Sequence, residues 1–82
     1  MSDNLLTPAQ CLGARAMLGL TRADLAKAAK VSAATLADFE SGKREPYART
    51  LEDIRQALEG RGVVFLADGE QANGGPGVRL VR

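Results

Sequence analysis

The chain has 82 residues, a net charge of +1, one cysteine and no histidine. A chain of this length forms one small domain and buries only about 60–65% of its unfolded surface, so packing against a second copy would stabilise it. Without histidine or a second cysteine there is no imidazole base, no intramolecular disulfide and no His/Cys metal site. The N-terminus lacks the basic and apolar runs of a signal peptide, and no apolar run reaches membrane-spanning length. We therefore expect a cytoplasmic protein that is not an enzyme and needs no cofactor.

Positive charge is concentrated in the middle of the chain. Residues 15–49 contain seven Lys and Arg side chains and four Asp and Glu side chains, so this segment carries +3 and the remainder carries −2. Mixed solvated surfaces often show an excess of this size. The asymmetry is therefore weak support for an anionic partner.

The first predicted helix runs from near Thr7 to Leu18. Pro8 stands in its opening turn, and Gly19 ends it. The spacing of its small and apolar residues predicts an inward face of Cys11, Ala14 and Leu18. On that face Cys11 is expected to be a small buried hydrophobic residue rather than a redox sensor.

Two further helices follow, joined by a tight turn. Thr21 caps the second helix and forms a capping box with Asp24. Val31 lies in the turn, Ser32 caps the third helix, and Gly42 ends it. The predicted core residues of this pair are Leu25, Ala26, Ala29, Leu36 and Phe39.

A fourth helix is predicted after Pro46 and is closed by Gly60 and Gly62. Thr50 and Asp53 are spaced as a capping box at its start. Its core stripe is Leu51, Ile54 and Leu58. The tail then changes to the strand-like sequences "GVVFLA" and "GVRLV", separated by a polar, glycine-rich loop. The predicted fold class is mainly α, with four to five helices and a short C-terminal two-strand β element.

Helices two and three have the spacing of a helix-turn-helix. Residues 10–59 contain "LGLT", the turn "VS", "FESGK" and a proline followed by "TL". These pieces resemble the phage-repressor-like, Xre-type helix-turn-helix transcriptional regulators. The resemblance implies a bacterial or phage-encoded protein that is nucleoid-associated when bound, with double-stranded DNA as its partner. It also implies a structural ion pair between Arg15 and Glu40, which would tie the first helix to the third.

The resemblance further implies two sets of DNA contacts. The DNA backbone would be bound at the start of helix two and beyond the end of helix three, by Thr21, Arg22, Ser41, Lys43 and Arg44. Family members often have glutamine at the position of Arg22, so we expect added charge there but no bracing of a neighbouring side chain. The base edges would be contacted by Ser32, Ala33, Ala34, Thr35 and Asp38.

The side chains of this base-edge set are short. Alanine and threonine methyl groups can contact the thymine methyl, and Asp38 can accept from cytosine N4 but repels phosphates. No arginine is available for a bidentate guanine contact. Either sequence selection depends on DNA shape and phosphate positioning, or the helix binds a protein instead. We favour DNA, because the flanking backbone-contact residues are present.

Residues 63–82 are predicted to be a dimerisation tail, separate from the helix-turn-helix domain of residues 1–62. Two short strands joined by a long loop are marginal as an isolated hairpin. Pairing with a second copy would complete the sheet and hold two recognition helices about 34 Å apart, over a palindromic operator. The residues assigned to this contact are Val63, Val64, Phe65, Leu66, Val78 and Leu80. The alternative is a hairpin folded back on its own domain.

Three functions remain open at this point. The first is a sequence-specific DNA-binding regulator, as a homodimeric repressor or an antitoxin-like partner in a small operon. The second is an anti-activator that uses the helix-turn-helix surface to bind another protein. The third is an assembly adaptor that uses its tail strands.

Overall fold

The computed structural model describes residues 6–67 and 75–81, and in this part the chain forms four helices and one two-stranded antiparallel sheet. In chain order the elements are α1 (Pro8–Leu18), α2 (Arg22–Ala29), α3 (Ala33–Glu40), α4 (Ala48–Glu59), β1 (Val63–Leu66) and β2 (Gly77–Leu80). The predicted mainly α class with a small C-terminal β element is confirmed. The glycine-rich loop predicted between the strands falls largely at residues 68–74, outside the described residues. None of the described helices is long and apolar enough to cross a membrane.

Side chains cap the first three helices; Thr21 and Ser32 are the predicted caps, whereas the sequence placed only the start of α1 near Thr7. Thr7 and Gln10 form a capping box, in which Thr7 Oγ1 accepts from Gln10 N at 3.1 Å and Gln10 Oε1 accepts from Thr7 N at 3.0 Å. Thr21 and Asp24 form the predicted box at α2, and the Ser32 side chain caps α3. Each cap satisfies backbone N–H groups that have no partner inside the helix.

The predicted start of the fourth helix is wrong. α4 begins at Ala48, Tyr47 is the N-cap residue, and no side chain caps this end. The carbonyl oxygen of Tyr47 already accepts from Leu51 N at 3.0 Å. Thr50 therefore lies inside the first helical turn. A capping residue needs an extended backbone, so Thr50 and Asp53 cannot form the capping box.

One core joins all four helices to the first strand. Leu25, Leu36, Ile54 and Leu58 are fully buried at its centre. Leu18, predicted to face inward, is only partly buried and packs against the edge of this core. The other buried apolar residues are Leu6, Cys11, Ala14, Ala26, Ala29, Phe39, Leu51, Val63 and Phe65.

The tail strands pair with each other within the chain. β1 and β2 are antiparallel, with Val63 opposite Leu80 and Phe65 opposite Val78. The side chain of Gln10 reaches both strands, because its Nε2 donates to the carbonyl oxygens of Leu66 at 3.1 Å and Gly77 at 2.8 Å. The sheet is therefore fastened to α1 as well as packed on it.

This packing corrects part of the predicted dimer contact. Val63 and Phe65 are 2% and 6% exposed in the core of their own chain, so neither presents a side chain to a partner. Within the chain the hairpin folds back on its own domain. The helices can cover one face of the hairpin because side chains alternate between the two faces of a strand. On the other face Val64 remains 38% exposed.

Candidate nucleic-acid interface

A three-residue turn sets α3 against α2. Lys30 ends α2 in the left-handed conformation, with φ 61° and ψ 41°, and Val31 N donates to Ala26 O at 3.0 Å. Val31 packs against the core, and Ser32 then starts α3. The turn is thus fixed to the end of α2 by a backbone hydrogen bond and to the core by the side chain of Val31.

The two faces of α3 differ in burial. Leu36, Phe39 and Glu40 are buried on the inner face. On the outer face Ala33 and Ala34 are exposed, while Thr35 and Asp38 are half-buried. The outer face of the recognition helix is therefore smooth in shape and carries one carboxylate.

Ser32 and Thr35 are hydrogen-bonded to each other. Ser32 Oγ accepts from Thr35 N at 3.0 Å and donates to Thr35 Oγ1 at 2.8 Å. The Ser32 proton is therefore used within the helix cap, whereas the Thr35 hydroxyl keeps its own proton for an outside acceptor. Of these two predicted base-edge residues, Thr35 is the one with a donor to offer.

The start of α2 exposes two of the predicted phosphate contacts. Thr21 Oγ1 accepts from Asp24 N at 3.0 Å, and the Thr21 hydroxyl also hydrogen-bonds to the Asp24 carboxylate. The hydrogen bonds from Thr21 hold the pKa of Asp24 below its ordinary value. Asp24 thus remains charged and keeps the cap closed at neutral pH.

The loop after α3 carries the other predicted phosphate contacts. The carbonyl oxygen of Asp38 accepts from Lys43 N at 2.9 Å, from Arg44 N at 3.3 Å and from Ser41 Oγ at 3.2 Å. The loop is therefore folded against the end of α3, with Gly42 in the left-handed region at φ 79°. Lys43 and Arg44 point basic, exposed side chains outward. Ser41, in contrast, uses its proton within the chain.

Glu40 is the centre of a buried polar cluster between α1, α2 and α3. Its side chain is 2% exposed, and the carboxylate accepts two hydrogen bonds from Arg15, Nε to Oε2 at 2.8 Å and Nη2 to Oε1 at 2.9 Å. It accepts two more, from Arg22 Nε to Oε1 at 3.1 Å and from Cys11 Sγ to Oε2 at 3.1 Å. All four lone-pair positions of the carboxylate are thus used. We name these four residues the Glu40 cluster.

The hydrogen bonds of the Glu40 cluster outweigh the cost of burying its charge. Burial acts to raise the pKa of Glu40, but the hydrogen bonds from Arg15, Cys11 and Arg22 lower it below the ordinary value. Glu40 is therefore ionised at neutral pH. Arg15 also donates from Nη1 to the carbonyl oxygen of Leu20 at 3.1 Å, so one side chain connects α1, α3 and the loop before α2.

Two expectations about the Glu40 cluster are revised. Arg15 and Glu40 form the predicted ion pair. Arg22 was expected not to brace a neighbouring side chain, but it also forms an ion pair with Glu40. Cys11 is fully buried, as expected, yet it is a hydrogen-bond donor as well as an apolar residue. Burial first, and then the contact with Glu40, raise the pKa of the Cys11 thiol. The thiol is therefore protonated and unreactive at neutral pH.

Tyr47 is a candidate contact that the sequence reasoning missed. It is 88% exposed at the start of α4, between the basic loop of Lys43 and Arg44 and the exposed Arg49. The signal available in the sequence was an aromatic residue directly after Pro46, with basic residues on both sides. Hydroxyl groups of tyrosine are among the side-chain groups that bind phosphate oxygens.

Residues 14–63, more than half of the chain, match a family model described as helix-turn-helix. The chain belongs to the Xre-type helix-turn-helix family. This family consists of DNA-binding regulators rather than enzymes. Within the part of the chain that the structure describes, no group of acidic, histidine or cysteine side chains could hold a metal ion. Among curated proteins, none matches this Xre-type chain significantly.

Proposed function

We propose that this Xre-type regulator is a homodimeric repressor that binds a palindromic operator with α3 in the major groove. The observation that carries the proposal is the contrast around α3. Its outward residues Ala33 and Ala34 are small and exposed, while exposed basic side chains stand at the start of α2 and beyond the end of α3. Small side chains allow close approach of the helix to the base edges, and the basic groups bind the phosphates that fix its position.

In this proposal, sequence selection depends mainly on DNA shape. The outer face offers methyl groups and one free hydroxyl proton, on Thr35, and these distinguish few base pairs directly. Phosphate contacts from Thr21, Arg22, Lys43 and Arg44 would hold the duplex in a geometry that some sequences adopt at lower free energy than others. Occupancy of a promoter by such a dimer represses transcription by excluding other proteins from the same DNA.

The test is duplex binding, measured by fluorescence anisotropy over a salt series. The duplexes are the region upstream of the protein's own coding sequence and a scrambled control. Wild-type affinity should fall linearly on a log–log plot as salt rises. Lys43→Ala and Arg44→Ala should each weaken binding to both duplexes and flatten the salt slope by about one unit. Arg79→Ala is the charge control, because it removes the same charge outside the helix-turn-helix. Since Arg79 lies opposite Val64 in the hairpin, sedimentation first checks that this variant has the wild-type oligomeric state.

Two results would contradict this function. Wild-type protein that binds neither duplex at low salt would favour the protein-binding alternative for the same surface. Equal loss from Arg79→Ala and Lys43→Ala would show that net charge, and not the basic loop, determines binding.

The dimer is proposed to form through the exposed aliphatic side chains and the unpaired strand edges of the hairpin. Val64, Leu80 and Val81 are 38%, 44% and 66% exposed, which is unusual for three aliphatic residues on one small hairpin. Within the described residues the sheet has only two strands, so each strand leaves one edge unpaired. An edge of this kind can pair with that of a second copy across a two-fold axis.

A point substitution tests the dimer better than truncation does. Removal of residues 63–82 would take Val63 and Phe65 out of the core and unfold the chain. Val64→Lys places a charge on the outer face of the hairpin, and Leu80→Lys places one on an exposed side chain opposite Val63; neither residue belongs to the buried core. Sedimentation at micromolar concentration should show a dimer for the wild type and a monomer for each variant, with unchanged helical content. Variants that remain dimeric would exclude the hairpin as the contact.

A further inference from the structure

Arg22 is both a proposed phosphate contact and a partner of the buried Glu40. Its Nε donates to Glu40 Oε1 at 3.1 Å, while its side chain is 49% exposed and that of Glu40 is 2% exposed. One edge of the guanidinium therefore faces the protein interior. The other edge lies towards solvent at the start of α2.

The outward edge of Arg22 is unoccupied by protein groups. A guanidinium has five N–H donors in a rigid, planar fork. Only the Nε donor is used, and Nη1 and Nη2 donate no hydrogen bond to any described residue. Four N–H groups thus remain for an external anion, and the Nε bond limits the directions in which they can point.

Charge in the Glu40 cluster also leaves Arg22 free to bind an anion. Arg15 makes two hydrogen bonds to Glu40 and is only 16% exposed, so it already supplies the counter-charge. The cluster of two guanidinium groups and one carboxylate keeps a net charge of +1. This positive charge is exposed only at Arg22, since the other members are buried or nearly so.

We propose that Glu40 is a positioning residue for DNA binding, which holds Arg22 by its Nε edge so that the Nη groups face a backbone phosphate. This inference rests on the proposed DNA-binding function. Holding a long side chain in its bound geometry before binding reduces the conformational entropy lost on association. The same ion-pair cluster that fixes α1 to α3 therefore also sets the direction of a phosphate contact at α2.

The opposite arrangement makes a different prediction. If Glu40 competed with phosphate for Arg22, the carboxylate would weaken binding, and its removal would strengthen the contribution of Arg22. The two possibilities therefore differ in the sign of the coupling between these residues when DNA affinity is measured.

The primary experiment compares Arg22→Ala and Arg22→Lys in the salt-series assay, because a half-exposed residue can be changed without unfolding the chain. Arg22→Ala should weaken binding by about tenfold and flatten the salt slope by about one unit. Lysine keeps the positive charge and therefore the salt slope. Its single ammonium group cannot bind Glu40 with one edge and a phosphate with the other, as the guanidinium does. Arg22→Lys should therefore weaken binding by at least about threefold, which is half of the tenfold loss on a logarithmic scale. Lys43→Arg, the reverse change at a site where no described acidic side chain forms an ion pair, should leave affinity within about twofold.

A double-mutant cycle supplies the second measurement. Glu40→Gln keeps the shape of the side chain, and thermal unfolding first identifies a temperature at which it is folded. In that background Arg22→Ala should cost at least about threefold less than in the wild type, whereas Lys43→Ala should cost the same in both. If Glu40→Gln does not fold at any temperature, the Arg22→Lys result alone decides.

The outcomes separate the inference from the function on which it rests. Wild-type protein that binds no duplex overturns both. Salt-dependent wild-type binding, with Arg22→Lys equal to wild type, overturns only the positioning role, since charge alone is then sufficient. A larger effect of Arg22→Ala in the Glu40→Gln background also overturns it, in favour of competition.

Discussion

Gln10 in α1 and Gly77 in β2 are joined by a hydrogen bond of 2.8 Å, from Nε2 to the carbonyl oxygen. The same amide nitrogen donates to Leu66 O in β1, and the amide oxygen closes the capping box with Thr7. Gln10 is 6% exposed. A single side chain thus caps the first helix and fastens the hairpin to it.

Gln10→Glu should destabilise the fold by about 2–4 kcal/mol. Glutamate keeps the size of the side chain and the capping oxygen, but it replaces the donor to two carbonyl groups with a charged acceptor. The measurement is urea unfolding of the variant and the wild type at pH 7 and pH 4. The difference between them should shrink at pH 4, because a protonated carboxyl group can again donate. Gln10→Met is the control without charge, and its free energy of unfolding should fall by less at pH 7. An equal fall would contradict the argument that the carboxylate repels the two carbonyl oxygens.

Acid should destabilise the protein through Glu40. Its pKa lies below the ordinary value of 4.5 in the folded chain, so its contribution to stability is complete above that value and is lost as pH falls through the lower, folded-state pKa. The free energy of unfolding should therefore be nearly constant from neutral pH to about pH 5 and decline further down, with a slope of up to about 1.4 kcal/mol per pH unit for this proton.

NMR titration of the Glu40 side-chain carboxyl carbon checks this assignment directly. The wild-type midpoint should lie below 4.5, and Arg22→Ala should move it upward by removing one hydrogen bond. A midpoint that is unchanged in Arg22→Ala would show that the contact between these two side chains is not maintained in solution.

Lys30→Gly should stabilise the fold by up to about 1 kcal/mol. Lys30 is the one non-glycine residue of the described chain with positive φ, at 61°, and a side chain there is strained whereas glycine is not. Thermal unfolding measures the change. Lys27→Gly removes the same charge from inside α2 and should instead lose about 1 kcal/mol. The explanation fails if both substitutions lower the melting temperature alike.

Asp38→Ala should tighten binding to all duplexes by a few-fold without changing base preference. Its carboxylate is half-buried on the outer face of α3 and receives no hydrogen bond from any described residue, so it repels nearby phosphates without compensation. Binding to a panel of single-base-pair variants of the operator is the measurement. Asp53→Ala, which removes an equal charge from α4, is the control. A loss of preference at one base pair, worth about 1–3 kcal/mol, would show that Asp38 accepts from a cytosine instead.

The sequence alone determined the helices and their order, because the signals that define a helix are local. The caps at Thr7, Thr21 and Ser32 act over three positions, and the apolar stripes repeat within a few turns. The wrong start of α4 has the same origin. Thr50 and Asp53 have the spacing of a capping box, but the hydrogen bond from Leu51 N to Tyr47 O shows that the helix begins three residues before Thr50 would cap it.

Only the tertiary structure decided which distant groups meet. The hydrogen bond from Arg22 to Glu40 spans 18 positions and that from Gln10 to Gly77 spans 67, and no local pattern encodes either one. Pairing of the strands within the chain also depends on packing, because Val63 and Phe65 are buried against an apolar surface that the helices form together. Periodicity specifies which face of an element is apolar, whereas the partner of that face follows from the packing of all the elements together.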